Sequence, residues 1–341
     1  DAAWAERFAA SLLTLLASLA DHPGAALSTL DYVSPAERAR VTGDFATGAP
    51  LPGGAETAID LLADAATDEA VPASGAPFEA PEVARIAGAL RALGVGPESR
   101  VGLCLPRDQR LIPALLGVWW AGAAYVPLDP AFPSARLAAM VEDSGLRVVL
   151  GAGDYLGDHP GVTVLSYDDA VRGEPIPRVR VPAEAAAYTI FTSGSTGRPK
   201  GVTVTQGNVA ALLRAFRAVL PLSADDHLVA VTTLSFDISV LELLLPLVCG
   251  ARVTVADTET AMDPNALRRL LRESGATALQ ATPATWRALV TSGGIPESVR
   301  LRLCGGEALP RDLAADLVAD GAEVWNVYGP TETTVWSAAG R

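Results

Sequence analysis

The chain reads as an α/β protein with two stacked or adjacent, largely parallel β-sheets flanked by helices, and three observations carry that expectation. Helical patterns alternate with short β-branched runs from about residue 83 to the end, the pattern of strand–helix units that pair in parallel. The runs are too numerous for a single ordinary sheet. The composition, 50% hydrophobic and 19% charged over 341 residues, is that of a globular chain able to bury a full core.

Taken in order, residues 4–20 place apolar side chains at helical spacing, and Asp21-His22-Pro23-Gly24 stops them. Residues 25–55 are rich in Pro and Gly with little periodicity, which is linker composition apart from a short helical stretch at Ser34–Val41. A second unit starts near residue 56. It runs helix Val83–Leu93, strand Ser99–Leu105, helix Leu111–Ala121, strand Ala123–Pro127, helix Arg136–Ser144 and strand Arg147–Leu150. After an irregular stretch come strand Ala187–Thr192, helix Val209–Leu220, strand Leu228–Thr232, helix Val240–Val248 and strand Arg252–Val255. Helix Pro264–Ser274, strand Ala278–Ala281, helix Pro283–Ser292, strand Arg300–Cys304, helix Arg311–Ala319 and strand Glu323–Val327 complete the series.

Charge narrows the function. With 26 basic against 39 acidic residues and a net charge of −13, the surface repels nucleic acid and anionic lipid, so any anion site must be local. Cys104, Cys249 and Cys304 are odd in number and widely spaced, and the three His are scattered. A disulfide framework and a zinc cluster are therefore not expected, and a reducing cytoplasmic setting is. Apolar runs such as Leu241–Val248 fall short of the roughly 18–20 residues a membrane helix needs. Of all the basic residues, one is a lysine, Lys200.

That lysine closes the sharpest motif. The β-type run Tyr188–Thr192 ends in Ser193-Gly194-Ser195-Thr196-Gly197-Arg198-Pro199-Lys200-Gly201. Small residues let backbone N–H groups and hydroxyls wrap an anion, and a lysine adds a point charge, so polyphosphate is the natural guest. The spacing is not that of the GxxxxGK[ST] phosphate loop, and the bland alternative is a solvated Gly/Ser loop. A second motif, Asn326-Val327-Tyr328-Gly329-Pro330-Thr331-Glu332, offers an aromatic face, a hydroxyl and a carboxylate on one turn, suited to a base, a phosphate and Mg²⁺, or else an ordinary turn. In the third, Leu234–Glu242, Asp237 sits among apolar residues at a helix start, either as an N-cap or as a carboxylate awaiting a cation. Cys304-Gly305-Gly306-Glu307 ends a strand with paired glycines that admit flat approach of a ring or simply make a tight turn. Trp119–Pro130 reads as packing and a turn.

Together the segments WWAGAAYVPLDP (119–130), FTSGSTGRPKGV (191–202), SFDIS (235–239), CGGEAL (304–309) and NVYGPTE (326–332) resemble the adenylation domains of nonribosomal peptide synthetases, in the adenylate-forming superfamily. They occur in family order over about residues 80–336, while an earlier family segment survives only as PFEAPEV (77–83). The resemblance implies the large N-terminal core of such a domain over 56–341, with stacked mixed and parallel sheets. It further implies that residues 1–24 are the closing helix of an upstream condensation domain and 25–55 an inter-domain linker. By the same resemblance, Thr192, Ser193, Gly194, Ser195, Thr196, Gly197 and Lys200 hold the ATP β- and γ-phosphates. Tyr328 and Gly305–Gly306 sandwich adenine, with Asn326 near its amino group. Thr331 touches the α-phosphate, Glu332 the Mg²⁺, and Asp237 the substrate α-ammonium; Lys200, Thr331 and Glu332 are the expected catalytic residues. The implied reaction makes aminoacyl-AMP and pyrophosphate, then passes the aminoacyl group to the phosphopantetheine thiol of a carrier-protein domain.

By the same resemblance the chain corresponds to the large core without the family's small C-terminal subdomain and its catalytic lysine, so the expectation for these 341 residues alone is weak binding and poor turnover. Ile238, Leu241, Ala281, Arg302, Cys304, Val327, Val335 and Trp336 are the implied side-chain pocket. Trp336 with Ile238 and Leu241 fills space and points to glycine or alanine, although Arg302 fits such a pocket poorly. The nearest rival is an acyl- or aryl-acid ligase of the same superfamily, which has no ammonium for Asp237 to meet; the other is a catalytically silent scaffold domain.

Overall fold

The β-branched runs and the helices between them assemble, in this computed structural model, into two six-stranded sheets. The structure describes residues 2–44, 53, 56–67, 81–152, 161–192 and 199–341, and the chain divides into two compact units, Asp1–Pro52 and Gly53–Arg341.

In the first unit, α1 (Ala2–Asp21) buries none of its residues and leaves Trp4, Phe8, Leu12, Leu13, Leu16 and Leu19 exposed. Trp4 stacks on Phe8 with ring centroids 5.4 Å apart, the contact that i, i+4 spacing brings about. The second helix, α2 (Pro35–Ala39), starts where the Ser34 side chain accepts the Glu37 N–H and Pro35 takes the first turn.

The second unit opens with α3 (Ala58–Thr67) and α4 (Pro81–Ala92). Its first sheet is made of β1 (Arg100–Cys104), β2 (Ala124–Pro127), β3 (Val148–Gly151), β4 (Thr163–Leu165), β5 (Ala186–Thr192) and β6 (Lys200–Thr205), with α5 (Leu111–Trp120), α6 (Ser134–Ser144) and α7 (Tyr167–Ala170) in the connections. The spatial order is β4-β3-β1-β2-β5-β6, parallel until β6 runs back antiparallel to β5. After α8 (Gln206–Val219), the second sheet uses β7 (His227–Ala230), β8 (Arg252–Val255), β9 (Ala278–Ala281), β10 (Leu301–Gly305), β11 (Glu323–Tyr328) and β12 (Ala338–Gly340). Its order is β12-β11-β10-β9-β7-β8, again parallel except for the last strand, β12. Helices α9 (Ser239–Cys249), α10 (Thr258–Met262), α11 (Pro264–Glu273), α12 (Pro283–Thr291) and α13 (Arg311–Val318) connect these strands.

The core sits in three layers of apolar contact. One cluster joins the inner faces of both sheets through α3, α4, α5, α8 and α9; a second covers the far face of the second sheet with α11, α12 and α13; a third covers the far face of the first sheet with α6. Strands buried on both faces read as continuous apolar runs, which is why β1, β2 and β7 are legible in the sequence. Helix α9 is buried over nearly its whole length and turns into β8 at Gly250, whose φ of +71° only glycine takes without cost.

Two elements that apolar periodicity does not announce frame the site. The sequence reading leaves 200–208 without regular structure, yet Lys200–Thr205 forms β6, pairing Thr192 opposite Lys200. As an edge strand it buries only Val202 and Val204, too few apolar positions for a period to show. The short β12 is fully exposed and joins the sheet through its ladder to β11.

Candidate active site

The carboxyl ends of β9, β10 and β11 and the end of the β5–β6 hairpin bring the separate motifs to one place. Strand β6, which begins at Lys200, lies against the turn Thr331–Thr333, so the lysine-bearing and Gly-Pro motifs share an edge. Thr192 donates its hydroxyl to the Lys200 carbonyl at 3.4 Å, and Lys200 is exposed. Ser193, Gly194, Ser195, Thr196 and Gly197 lie outside the described residues. On the neighbouring strands Gly305 is level with Val327, which sets Gly306 level with Tyr328. Tyr328 is 70% exposed, a large aromatic face with nothing stacked on it in the described structure. Asn326, Glu332 and Gly306 are exposed and Thr331 is half-buried.

Asp237 behaves as a charged group in waiting. The N-cap alternative is not what the structure shows, because α9 is capped by Ile238 with no side-chain bond. Instead Asp237 is 2% exposed and its Oδ2 has no hydrogen-bond partner. Burial pushes its carboxyl up to about 6; the Thr331 hydroxyl and the Ile238 N–H act in the other direction, and the charge of Glu332 adds to the rise. Two tyrosines face the same region: Tyr125 on β2 and Tyr188 on β5 have ring centroids 5.6 Å apart, and both hydroxyls are buried without partners. Burial raises both phenols above their ordinary value, with the charge of Asp237 adding to it at Tyr188, and Tyr188 and then Asp237 adding to it at Tyr125.

The second sheet sorts the expected side-chain pocket by strand alternation. Ile238, Leu241, Val327, Val335 and Trp336 are all buried in the inner cluster. Ala281, Arg302 and Cys304 are not with them and do not line that pocket. Ala281 and Cys304 pack on the far face with α11–α13. The Arg302 guanidinium, 1% exposed, donates to the carbonyls of Val299 at 3.0 Å and Leu317 at 2.6 Å and forks onto Asp320 at 2.9 and 2.5 Å. Each of the three is one residue out of register with the inner face, whose side chains on β9 and β10 are Ala278, Gln280, Leu301 and Leu303. A lone glutamine inside the apolar run Ala278–Ala281 was the available signal for Gln280.

Gln280 ties the inner face together. Its Oε1 accepts the Trp336 indole N–H at 3.1 Å, while its Nε2 donates to the Ile238 carbonyl at 2.9 Å and to Glu242 Oε1 at 3.1 Å. Glu242, fully buried on α9, also accepts the Val231 N–H at 2.7 Å, the Thr232 N–H at 3.0 Å and the Thr232 hydroxyl. A Cβ on Gly305 would lie 2.6 Å from Trp336 Cη2 and 2.5 Å from the Val327 carbonyl, so only glycine lets the indole tip come this close. Trp336 is delivered by Thr334 and Val335, both in the left-handed region with φ of +67° and +64°. For a β-branched valine that is a strained backbone, which marks a position fixed by its surroundings.

A separate cavity of about 680 Å³ opens at the carboxyl ends of β1–β3 and contains none of the expected site residues; Asp129 there accepts the Thr233 hydroxyl at 2.6 Å. Among the described residues no group of three or more His, Cys, Asp or Glu is placed to hold a metal ion, and no helix is long and apolar enough to cross a membrane. The three cysteines are free and buried, their thiols pushed up by burial to about 11, 11 and 12.

Comparison with known proteins shows the family and the fold. Residues 80–340 match the family model described as AMP-binding enzyme. A dimodular nonribosomal peptide synthase of Bacillus subtilis (strain 168) is 45% identical over 270 residues, 76% of this chain and 11% of that protein. Enterobactin synthase component F of Escherichia coli (strain K12) is 33% identical over 352 residues, 95% of this chain and 26% of that protein. Among solved structures, holo-AB3403, a four-domain nonribosomal peptide synthetase bound to AMP and glycine, superposes with a TM-score of 0.83 at 33% identity, covering 100% of this chain and 26% of that one. The chain thus spans about a tenth to a quarter of the length of these relatives.

Proposed function

This chain belongs to the AMP-binding enzyme family, as the adenylation core of a nonribosomal peptide synthetase, and from that premise we propose that it activates an amino acid of small side chain, glycine or alanine, with ATP. The observation that carries the proposal is Asp237, buried to 2% with one carboxylate oxygen unpartnered. An uncompensated buried charge is costly, and an α-ammonium would relieve it. A substrate bearing only a carboxylate would be repelled, which counts against the acyl- and aryl-acid alternative. The small side chain is supported by Trp336, whose ring fills the pocket base against Gly305, and by the glycine held in the related four-domain synthetase.

In this proposal Thr192–Gly197 and Lys200 hold the β- and γ-phosphates, the exposed Tyr328 and flat Gly305–Gly306 edge hold adenine, and Asn326 meets its amino group. A substrate carboxylate oxygen then attacks the α-phosphorus; the bond from that phosphorus to the bridging oxygen breaks, and pyrophosphate leaves. Thr331 orients the α-phosphate. Glu332 is an exposed carboxylate, the hard-oxygen donor Mg²⁺ takes alongside substrate phosphates, and that ion would supply charge neutralisation. Positioned donors do the remaining electrostatic work.

The onward steps belong to the same proposal: transfer to the phosphopantetheine of a carrier-protein domain, residues 1–24 as the end of a condensation domain, 25–55 as linker, and a cytoplasmic home. The open apolar face of α1 supports the reading of residues 1–24, and the three free cysteines support the cytoplasmic one. The test is calorimetric titration with non-hydrolysable glycyl-, alanyl- and leucyl-adenylate analogues and an acetyl analogue lacking the amine. Binding of the glycyl or alanyl analogue over the acetyl one is expected. Equal binding of the acetyl analogue overturns the ammonium assignment, and no binding by any of them favours the silent-scaffold alternative.

A further inference from the structure

We infer that Glu242 is a specificity-determining positioning residue: it fixes the polarity of the Gln280 amide and, through it, the seat of the Trp336 indole at the base of the proposed side-chain pocket. The inference rests on the pocket reading above but concerns a residue that touches no substrate.

The direction of every hydrogen bond in the chain is dictated by its ends. The indole N–H of Trp336 is donor-only, so the group it meets at 3.1 Å has to be the Gln280 oxygen. That leaves the Gln280 NH₂ facing the other way, onto two acceptors, the Ile238 carbonyl and Glu242 Oε1. At the far end Glu242 Oε2 accepts two backbone N–H groups, from Val231 and Thr232. Neither can be rotated away or become an acceptor. Glu242 is therefore required as an oxygen at both positions, and only a carboxylate offers that without a proton to place. The Val231–Thr232 segment runs on within a few residues to Asp237, so the same carboxylate anchors the start of the loop that bears the proposed ammonium partner.

Substitution by glutamine puts the chain in conflict with itself. The two backbone donors hold the new carbonyl oxygen at the Oε2 position, which points the new NH₂ at Gln280. To accept it, Gln280 has to flip. The flip sets its oxygen against the Ile238 carbonyl and its NH₂ against the donor-only indole. A buried donor–donor contact is not tolerated, and the indole, whose N–H is held by that one hydrogen bond, is the end that yields, because the other end of the relay is pinned by two backbone N–H groups. Displacing it opens the floor of the pocket to larger side chains.

The test uses the chain in four forms, wild type, Glu242→Gln, Trp336→Phe and the double variant, titrated with glycyl- and leucyl-adenylate analogues. In Glu242→Gln the preference for glycyl over leucyl should fall about tenfold, the size of one hydrogen bond to a charged group. Phenylalanine has no N–H to offend, so adding Glu242→Gln to Trp336→Phe should move the preference by less than about twofold. Multiplicative effects in the double variant overturn the inference, because a general loss of stability would add to Trp336→Phe in full. A second readout does not depend on any ligand. With the six tryptophans labelled at the indole nitrogen, the resonance lost in Trp336→Phe identifies Trp336, and Glu242→Gln should shift that resonance while the other indoles stay in place. An unmoved Trp336 resonance overturns the relay whatever binds. A moved resonance with no glycyl preference in the wild type upholds the relay and sinks the substrate reading instead.

Discussion

The entry to α9 and its first full turn hold two buried carboxylates with opposite fates. Glu242 is fully buried and takes four donors on its two oxygens, whereas Asp237 is nearly as buried and keeps an oxygen without a partner. Both are pushed up by burial, yet at Glu242 the donors of Thr232, Gln280 and Val231 oppose the push, while Asp237 is left at about 6. Burial alone therefore does not separate a structural carboxylate from a functional one. What separates them is whether the protein itself satisfies the charge. Arg302 on the far face makes the same point with the opposite sign, its guanidinium making four hydrogen bonds to Asp320 and two carbonyls.

The comparison is broken most severely by truncating the satisfied group. Glu242→Ala leaves the Val231 and Thr232 N–H groups buried without their acceptor, takes from the Gln280 NH₂ one of its two, and should cost about 3–5 kcal/mol of stability, measured as a lowered midpoint in urea. Arg302→Met keeps volume on the far face but strands two carbonyls, and about 2 kcal/mol is expected. Its glycyl-over-leucyl preference should stay at the wild-type value. A changed preference would return Arg302 to the pocket, against the register of β10.

That one-residue register is also where the sequence stops being legible. The α/β class, two sheets and nearly every helix follow from periodicity because buried parallel strands and amphipathic helices write their environment into composition. The motifs at the strand ends are legible for a similar reason, since Gly305, Gly306, Tyr328 and Asp237 are residue types with narrow uses. Ala281, Arg302 and Cys304 were placed in the pocket because both faces of β9 and β10 are buried, so apolar character does not tell inner from outer. Only the partners decide: Gln280 looks inward to Trp336 and Arg302 outward to Asp320. The Glu242–Gln280 pairing was hidden because it is a tertiary contact across 38 residues rather than a local pattern, and β6 because an edge strand with two buried positions is too short a period to show.

Removing the unsatisfied charge should do the reverse of removing Glu242. Asp237→Asn is expected to leave stability unchanged or higher at pH 8 while weakening the glycyl-adenylate analogue by about 100-fold, the loss of a buried charge-assisted contact. The sign of the pH dependence follows from the raised carboxyl. A group whose value in the fold lies above its unfolded value of 3.8 adds stability that is fully present below about pH 4 and is lost as pH rises through about 6. The stability gap between Asp237→Asn and wild type should therefore close on acidification below pH 4. Ligand binding runs the other way, since the ammonium needs the ionised form: affinity should hold above pH 7 and fall about tenfold per unit below pH 6. A binding profile flat from pH 5 to 8 would show that Asp237 does not meet the ammonium.

The smallest effect sharpens the comparison from the exposed side. Tyr328 is 70% exposed and its side chain takes part in no described hydrogen bond or ring contact, so the ring contributes little to folding, and Tyr328→Ala should leave the urea midpoint within about 0.5 kcal/mol of wild type. If the ring is an adenine platform beside Gly306, the same substitution should weaken ATP and the glycyl and leucyl analogues alike, by about 1–3 kcal/mol each. Uniform weakening is the signature of a group that binds the shared nucleotide and ignores the side chain, in contrast to Glu242→Gln, which alters preference. A Tyr328→Ala variant that binds ATP as tightly as wild type would mean the ring is idle, and the adenine seat would have to be sought elsewhere along the carboxyl ends of β10 and β11.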